Sequence, residues 1–181
     1  MHYDRMLAEL FGEEDRAREM AARLADIART SREAAAAERE SLLAFLLGPI
    51  ARHFAYEEQV IFPKLVEHDL TEEVQVATKQ HESVRHLARK LAEAGPADDV
   101  AALVFDIARQ LLHHTNFEGD YIYPELTHDE WRELMQETVE AGHPSSPARL
   151  VPMGETPAQP VPMGETPKPP ARAPKEPSVN S

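Results

Sequence analysis

The sequence predicts an all-α protein: an up-down four-helix bundle with a short fifth helix and a Pro-rich C-terminal tail. Three observations carry this. From the N-terminus to about His143, apolar residues recur at steps of three and four, and strand alternation is absent. Within that region the helix-breaking residues fall at a few points that leave segments of helix length between them. Eleven of the 15 prolines lie between Pro144 and Pro177, where regular helix or sheet cannot form. The chain therefore divides into a bundle, residues 1–143, and a tail, residues 144–181, expected to be disordered.

The first helix is expected from about Tyr3 to Thr30. The second begins at Arg32, or at Glu38 if the alanine run Ala34–Ala37 is a loop, and runs to Phe62, where Pro63 ends it. The Gly48-Pro49 pair inside it predicts a kink or a brief break. Asp69 with Glu72 has the pattern of a capping box, opening a third helix over about Thr71 to Ala94, and Gly95-Pro96 stops it. Asp98 or Asp99 caps the fourth helix, which ends before Pro124. Thr127 with Glu130 opens a short fifth helix that ends at Gly142 and lies on the bundle through Trp131, Leu134 and Met135. Short connections make consecutive helices antiparallel neighbours.

Composition narrows the function. Lys and Arg total 19 against 32 Asp and Glu, a formal net charge of −13. That argues against a nucleic-acid or anionic-membrane surface as the main partner, since both need a basic patch. The tail carries Arg149, Lys168, Arg172 and Lys175 against Glu155, Glu165 and Glu176, so the acidity belongs to the bundle. There are no cysteines, which removes disulfides, thiolate metal sites and cysteine nucleophiles. A disulfide-free acidic chain fits a reducing cytoplasm. MHYDRMLAELFGEEDR lacks the basic start and apolar run of a signal peptide. Nor does any stretch have the apolar length of a membrane span. Glycine-rich phosphate loops are absent.

The core-facing stripes carry the chemistry. In the fourth helix Val100, Leu103, Ile107, Leu111, His114, Glu118 and Tyr121 recur at three and four, apolar below and polar above. The second helix does the same with Leu46, Ile50, His53, Glu57 and Ile61. The third helix has one polar member on its stripe, His81, and the first has Glu14 between Leu10 and Ala17. A buried carboxylate costs several kcal/mol unless it is paired or bound to metal. Glu and His on facing helices are how such bundles build dinuclear metal sites. Imidazole with carboxylate and no thiolate suits iron or manganese better than structural zinc. His53 with Glu57, and His114 with Glu118, are four residues apart and point the same way.

Two segments repeat. HFAYEEQVIFPKL from His53 aligns without a gap on HTNFEGDYIYPEL from His114, with His, Glu, Ile, an aromatic residue, Pro and Leu coinciding. With KQHESVRHL around His81, these segments resemble the hemerythrin-like, or HHE, family of cation-binding domains, over about residues 3–140. The resemblance implies a four-helix bundle around a non-haem di-iron centre, oxo- or hydroxo-bridged, that binds or reacts with oxygen, peroxide or nitric oxide. By position it implies His53, Glu57, His81, His114 and Glu118 as metal ligands, with Glu57 and Glu118 as bridging carboxylates.

Two positions depart from the family. Glu14 stands where a first-helix histidine is usual, and Arg85 stands where the family's oxygen carriers have a second third-helix histidine. Glu14 has two readings, a sixth ligand or a solvent-facing residue beside Glu13 and Asp15. A site richer in carboxylate points away from reversible oxygen carriage, toward an iron oxidase or a peroxide-consuming enzyme. Tyr56, Tyr121 and Tyr123 read as packing residues, although Tyr121 is on the stripe and in position to donate to a bound oxygen species. His86 and His113 fall off the stripes, toward surface or outer supporting roles.

In the tail, VPMGETPAQP at residues 151–160 is followed by VPMGETPKPP. It reads either as a Pro-rich spacer or as two copies of a docking motif whose avidity rises with valency. Hemerythrin-like proteins are among the cargoes of encapsulin shells, so the resemblance makes such a shell a candidate partner. The motif differs from the Gly-Ser-Leu pattern of such addressing peptides.

Overall fold

The computed structural model describes residues 2–149, and among these there is no strand. Helix α1 spans His2–Thr30. Ser31 then interrupts the chain and caps the next helix, its hydroxyl accepting from the Ala34 N–H. The second rod of the bundle is built from α2 (Arg32–Ala37), α3 (Arg39–Phe45), α4 (Ala51–Tyr56) and α5 (Phe62–Glu67). The alanine run is thus helical, and Ala35 is buried. The remaining bundle helices are α6 (Thr71–Glu93) and α7 (Val100–Tyr121), and α8 (His128–Glu140) lies against α1. This is the expected four-helix bundle with its short fifth helix.

Two π-turns join the pieces of the second rod, at Leu46–Ile50 and Glu57–Ile61. The Ala51 N–H reaches back five residues to the Leu46 carbonyl, and the Phe62 N–H likewise to Glu57. Each turn lies at or just before a proline, Pro49 or Pro63. Proline lacks an N–H and collides with the carbonyl four residues earlier, and a widened turn relieves that collision. The break expected at Gly48-Pro49 is therefore a π-turn. Pro63 does not end the rod as the sequence predicted. It sits in the first turn of α5, and the helix continues to Glu67.

The capping box expected at Asp69 and Glu72 does not form. The cap of α6 is Leu70, with no side-chain hydrogen bond. Asp69 instead has a left-handed φ of 66° and terminates α5. Its N–H donates to the Val66 carbonyl while Leu70 N–H donates to Leu65, the bond pair of a Schellman stop. Asp99 does cap α7, accepting from Ala102 N–H. Thr127 and Glu130 form the reciprocal box at the start of α8. Gly142, at φ 82°, closes α8, with His143 N–H donating to the Thr138 carbonyl.

The core is in two parts. One cluster gathers Leu24, Leu42, Ile50, Phe54, Val84, Ile107 and Leu111. The other gathers Leu10, Tyr56, Ile61, Ala77, Ile122 and Trp131. Trp131, Leu134 and Met135 bury the inner face of α8 as expected. The packed structure also extends past the boundary drawn at residue 143. Ser146 and Pro147 are buried, and the turn Pro147–Arg149 rests on α4. The tandem VPMGETP repeats and the disorder expected for them lie outside the described residues.

Candidate metal centre

Between the two apolar clusters lie six buried polar side chains: Glu14 from α1, His53 and Glu57 from the second rod, His81 from α6, and His114 and Glu118 from α7. Each is no more than 2% exposed. The geometry removes one of the two readings of Glu14, because it faces inward rather than to solvent. Its Oε1 lies 2.8 Å from His53 Nε2 and 3.9 Å from His114 Nε2. Tyr121, by contrast, is 57% exposed and stacks on Phe117, away from the cluster.

The six side chains form two overlapping groups. Glu57, His81, His114 and Glu118 each bring one ligand atom to within 4.8 Å of the others, and Glu14, His53, Glu57 and Glu118 do the same. Glu57 and Glu118 belong to both. His53 Nε2 is 3.1 Å from Glu57 Oε1, and His81 Nε2 is 3.4 Å from Glu57 Oε2. His114 Nε2 is 3.8 Å from Glu118 Oε2.

All three histidines turn Nε2 inward and engage Nδ1 outside the cluster. His53 Nδ1 is 2.9 Å from Glu13 Oε2, and His81 Nδ1 is 2.8 Å from Glu58 Oε1. A carboxylate only accepts, so both Nδ1 atoms donate. His114 Nδ1 donates to Gln80 Oε1 at 3.2 Å, and the Gln80 amide donates to the exposed His113 at 3.0 Å. Arg85 holds Glu58 in turn, with Nη1 and Nη2 on its two oxygens at 2.7 and 3.0 Å. This arrangement fixes ring orientation and points each Nε2 into the cluster, where those of His81 and His114 have no hydrogen-bond partner and that of His53 meets Glu14. Phe54 lies flat on His81, centroids 3.7 Å apart, and meets His114 edge-on.

Sequence reasoning missed these supporting residues. Glu13, Glu58 and Gln80 are each one position from a stripe residue, hence about 100° around the helix from it. It also took Tyr123 for a packing residue. The Tyr123 hydroxyl donates to Glu118 Oε2 at 2.9 Å and lies 3.4 Å from Glu57 Oε1. The signal was in the repeat, where Tyr123 aligns with Phe62. Both aromatics reach the cluster, and Phe62 stacks on His81 at 5.4 Å.

Burial and mutual charge in this dry space shift the proton affinities of Glu57, Glu118, His53 and His114. Burial, with the charges of Glu57 and Glu14, pushes the Glu118 carboxyl well above the usual range. Burial acts the same way on Glu57, but the charge and hydrogen bonds of His53 and His81 hold it well below. For His53, burial is outweighed by the carboxylates of Glu57, Glu13 and Glu14, which raise it well above an ordinary histidine. Burial and the neighbouring His81 lower His114 to about 3.

The donor set fits a cation. Glu14 Oε2, Glu57 Oε2, His81 Nε2, His114 Nε2 and Glu118 Oε1 are buried without a hydrogen-bond partner. Each such atom costs about 1–3 kcal/mol, and charged ones more. All five belong to the two overlapping groups, and a cation would satisfy them where hydrophobic packing does not.

Among the described residues, no helix is long and apolar enough to cross a membrane. Comparison with curated proteins and with solved structures gives no significant match. The family model for the hemerythrin HHE cation-binding domain matches residues 5–126, well over half of the chain. With the helical bundle and its buried histidine–glutamate cluster, that match places the chain in the hemerythrin HHE cation-binding domain family.

Proposed function

We propose that the protein binds two metal ions, iron by preference, in this cluster. The observation that carries the reading is the sharing of Glu57 and Glu118 by the two four-residue groups. Glu14 and His53 would complete one position, and His81 and His114 the other. Three carboxylates with three imidazoles suit iron or manganese. When bound, such a pair supplies redox chemistry toward oxygen, peroxide or nitric oxide.

The chain's own residues prepare that chemistry. Glu13, Glu58 and Gln80 orient the three imidazoles. Phe54 and Phe62 wall off His81 from water. Tyr123 holds the proton that faces Glu118 and Glu57, and burial, with the Glu118 charge beside it, keeps that phenol well above its ordinary pKa. It therefore remains a donor at neutral pH.

A second reading rests on Glu14. Its inward carboxylate, where the family commonly has a histidine, favours an iron-oxidising or peroxide-consuming enzyme over a reversible oxygen carrier. Docking of the tail repeats to a protein partner or an encapsulin shell belongs to this reading.

Anaerobic Fe(II) titration of the full-length protein with metal analysis tests the main reading. Roughly two ions per chain are expected. A chain that retains only traces, with Glu57→Gln folding and behaving as wild type, overturns it. Repeated consumption of peroxide, or of Fe(II) with oxygen, separates the enzyme from a carrier whose spectrum bleaches reversibly.

A further inference from the structure

A cavity of about 230 Å³ opens beside the cluster, between α1 and the second rod. Phe45, Pro49 and Ile50 form its apolar wall, and Arg16, Arg52 and Glu13 its polar one. His53 lies at its inner end. The wall owes its shape to the π-turn Leu46–Ile50, which contributes both Pro49 and Ile50.

The two arginines are the unusual feature. The chain has 32 acidic residues and a net charge of −13, yet neither Arg16 nor Arg52 pairs with a described side chain. Each instead lies back along its own helix over a glycine one turn earlier. A Cβ on Gly12 would sit 3.7 Å from Arg16 Nη1, and one on Gly48 would sit 3.9 Å from Arg52 Nη1. The one acid among the residues lining this cavity, Glu13, is already committed to His53 Nδ1. Two guanidinium forks therefore border one partly enclosed cavity with their donors unused, next to apolar surface that strengthens a charged hydrogen bond.

We infer that this cavity binds a small oxyanion, with Arg16 and Arg52 as its partners. Guanidinium geometry matches the paired oxygens of a carboxylate or a phosphate. Size limits the ligand. At about 30 Å³ per water the space holds roughly seven or eight waters, below the range of drug-sized or nucleotide sites. An anion of about four to six heavy atoms fits. The site adjoins the six-residue cluster at His53, but its anion partners, Arg16 and Arg52, lie outside that cluster, and it stands whether or not the cluster holds metal.

The test titrates the full-length protein, as purified and in low-chloride buffer, with acetate and separately with inorganic phosphate. Binding is read by carbon-13 or phosphorus-31 line broadening and by calorimetry. Saturable binding of one or both in the roughly millimolar range is expected. Arg16→Gln and Arg52→Gln should each weaken it about tenfold, and the double variant should abolish it. Arg89→Gln, the same charge change at an exposed site elsewhere, should leave it unchanged. Phe45→Trp, which narrows the cavity and keeps both charges, should weaken it as well. Circular dichroism melts establish that each variant is folded. The idea is overturned if neither anion saturates, if the double variant binds as wild type does, or if Arg89→Gln has the same effect. Binding that survives loss of both arginines would put the anion elsewhere, including on a bound metal.

Discussion

Tyr123 donates its hydroxyl to Glu118 across 2.9 Å, although the two residues lie on opposite sides of the end of α7. Tyr123 belongs to the short turn Tyr123–Glu125, not to the helix whose stripe carries Glu118. Trp131 fixes that turn from α8, its indole N–H donating to the Tyr123 carbonyl at 3.1 Å. The same tryptophan meets the Tyr123 ring edge-on. The fifth helix therefore positions a donor at the histidine–glutamate cluster, which gives it a role beyond covering the bundle.

Tyr123→Phe keeps the ring and removes the donor. In the metal-free protein Glu118 then loses its hydroxyl partner, at a cost of about 1–3 kcal/mol. In the loaded protein the cost should shrink, because a cation satisfies the same carboxylate. Chemical denaturation of both forms checks this. An equal loss in the two forms would mean that the hydroxyl matters for packing alone.

Glu58→Ala releases His81 Nδ1 and frees Arg85. The metal position that includes His81 should weaken by roughly 10–100-fold, while the position that includes His53 keeps its affinity. A titration with one tight and one weak step is the expected result. Glu58 is half-buried, so the fold should survive the change.

Metal loading should raise the melting temperature. With free ion at about 1,000 times Kd the gain is about 4 kcal/mol. For a domain of this size that corresponds to roughly 8–16 °C, lost on treatment with a chelator. A melting temperature that does not respond to metal counts against the centre.

Asp69→Gly should stabilise the protein by about 0.5–1 kcal/mol, since glycine takes a positive φ without the penalty of a Cβ. Asp69 is exposed and its side chain makes no bond that the change would remove. Urea denaturation measures the gain. A loss instead would mean that the aspartate contributes to the stop between α5 and α6.

Much of this protein was determined by local order in the sequence. Helical period three-and-four fixes which residues share a face, so Leu10, Glu14 and Ala17, or Leu111, His114 and Glu118, could be assigned to one buried stripe without knowing what they meet. The duplicated His-to-Pro segments and the Thr127–Glu130 and Asp99 caps are likewise short-range signals, and the structure contains each. What periodicity does not encode is how far one helix is rotated against its neighbour, or where a widened turn shifts the phase. Only tertiary structure brought Glu14 against His53, and Glu13, Glu58 and Gln80 against imidazoles on other helices. It also turned Tyr121 outward while a three-residue turn carried Tyr123 inward, and let the second rod run through Pro63 by way of a π-turn. The physical reason is the same in each case: a side chain's face is set by the few residues around it, but its partner is set by the packing of segments far apart in the chain.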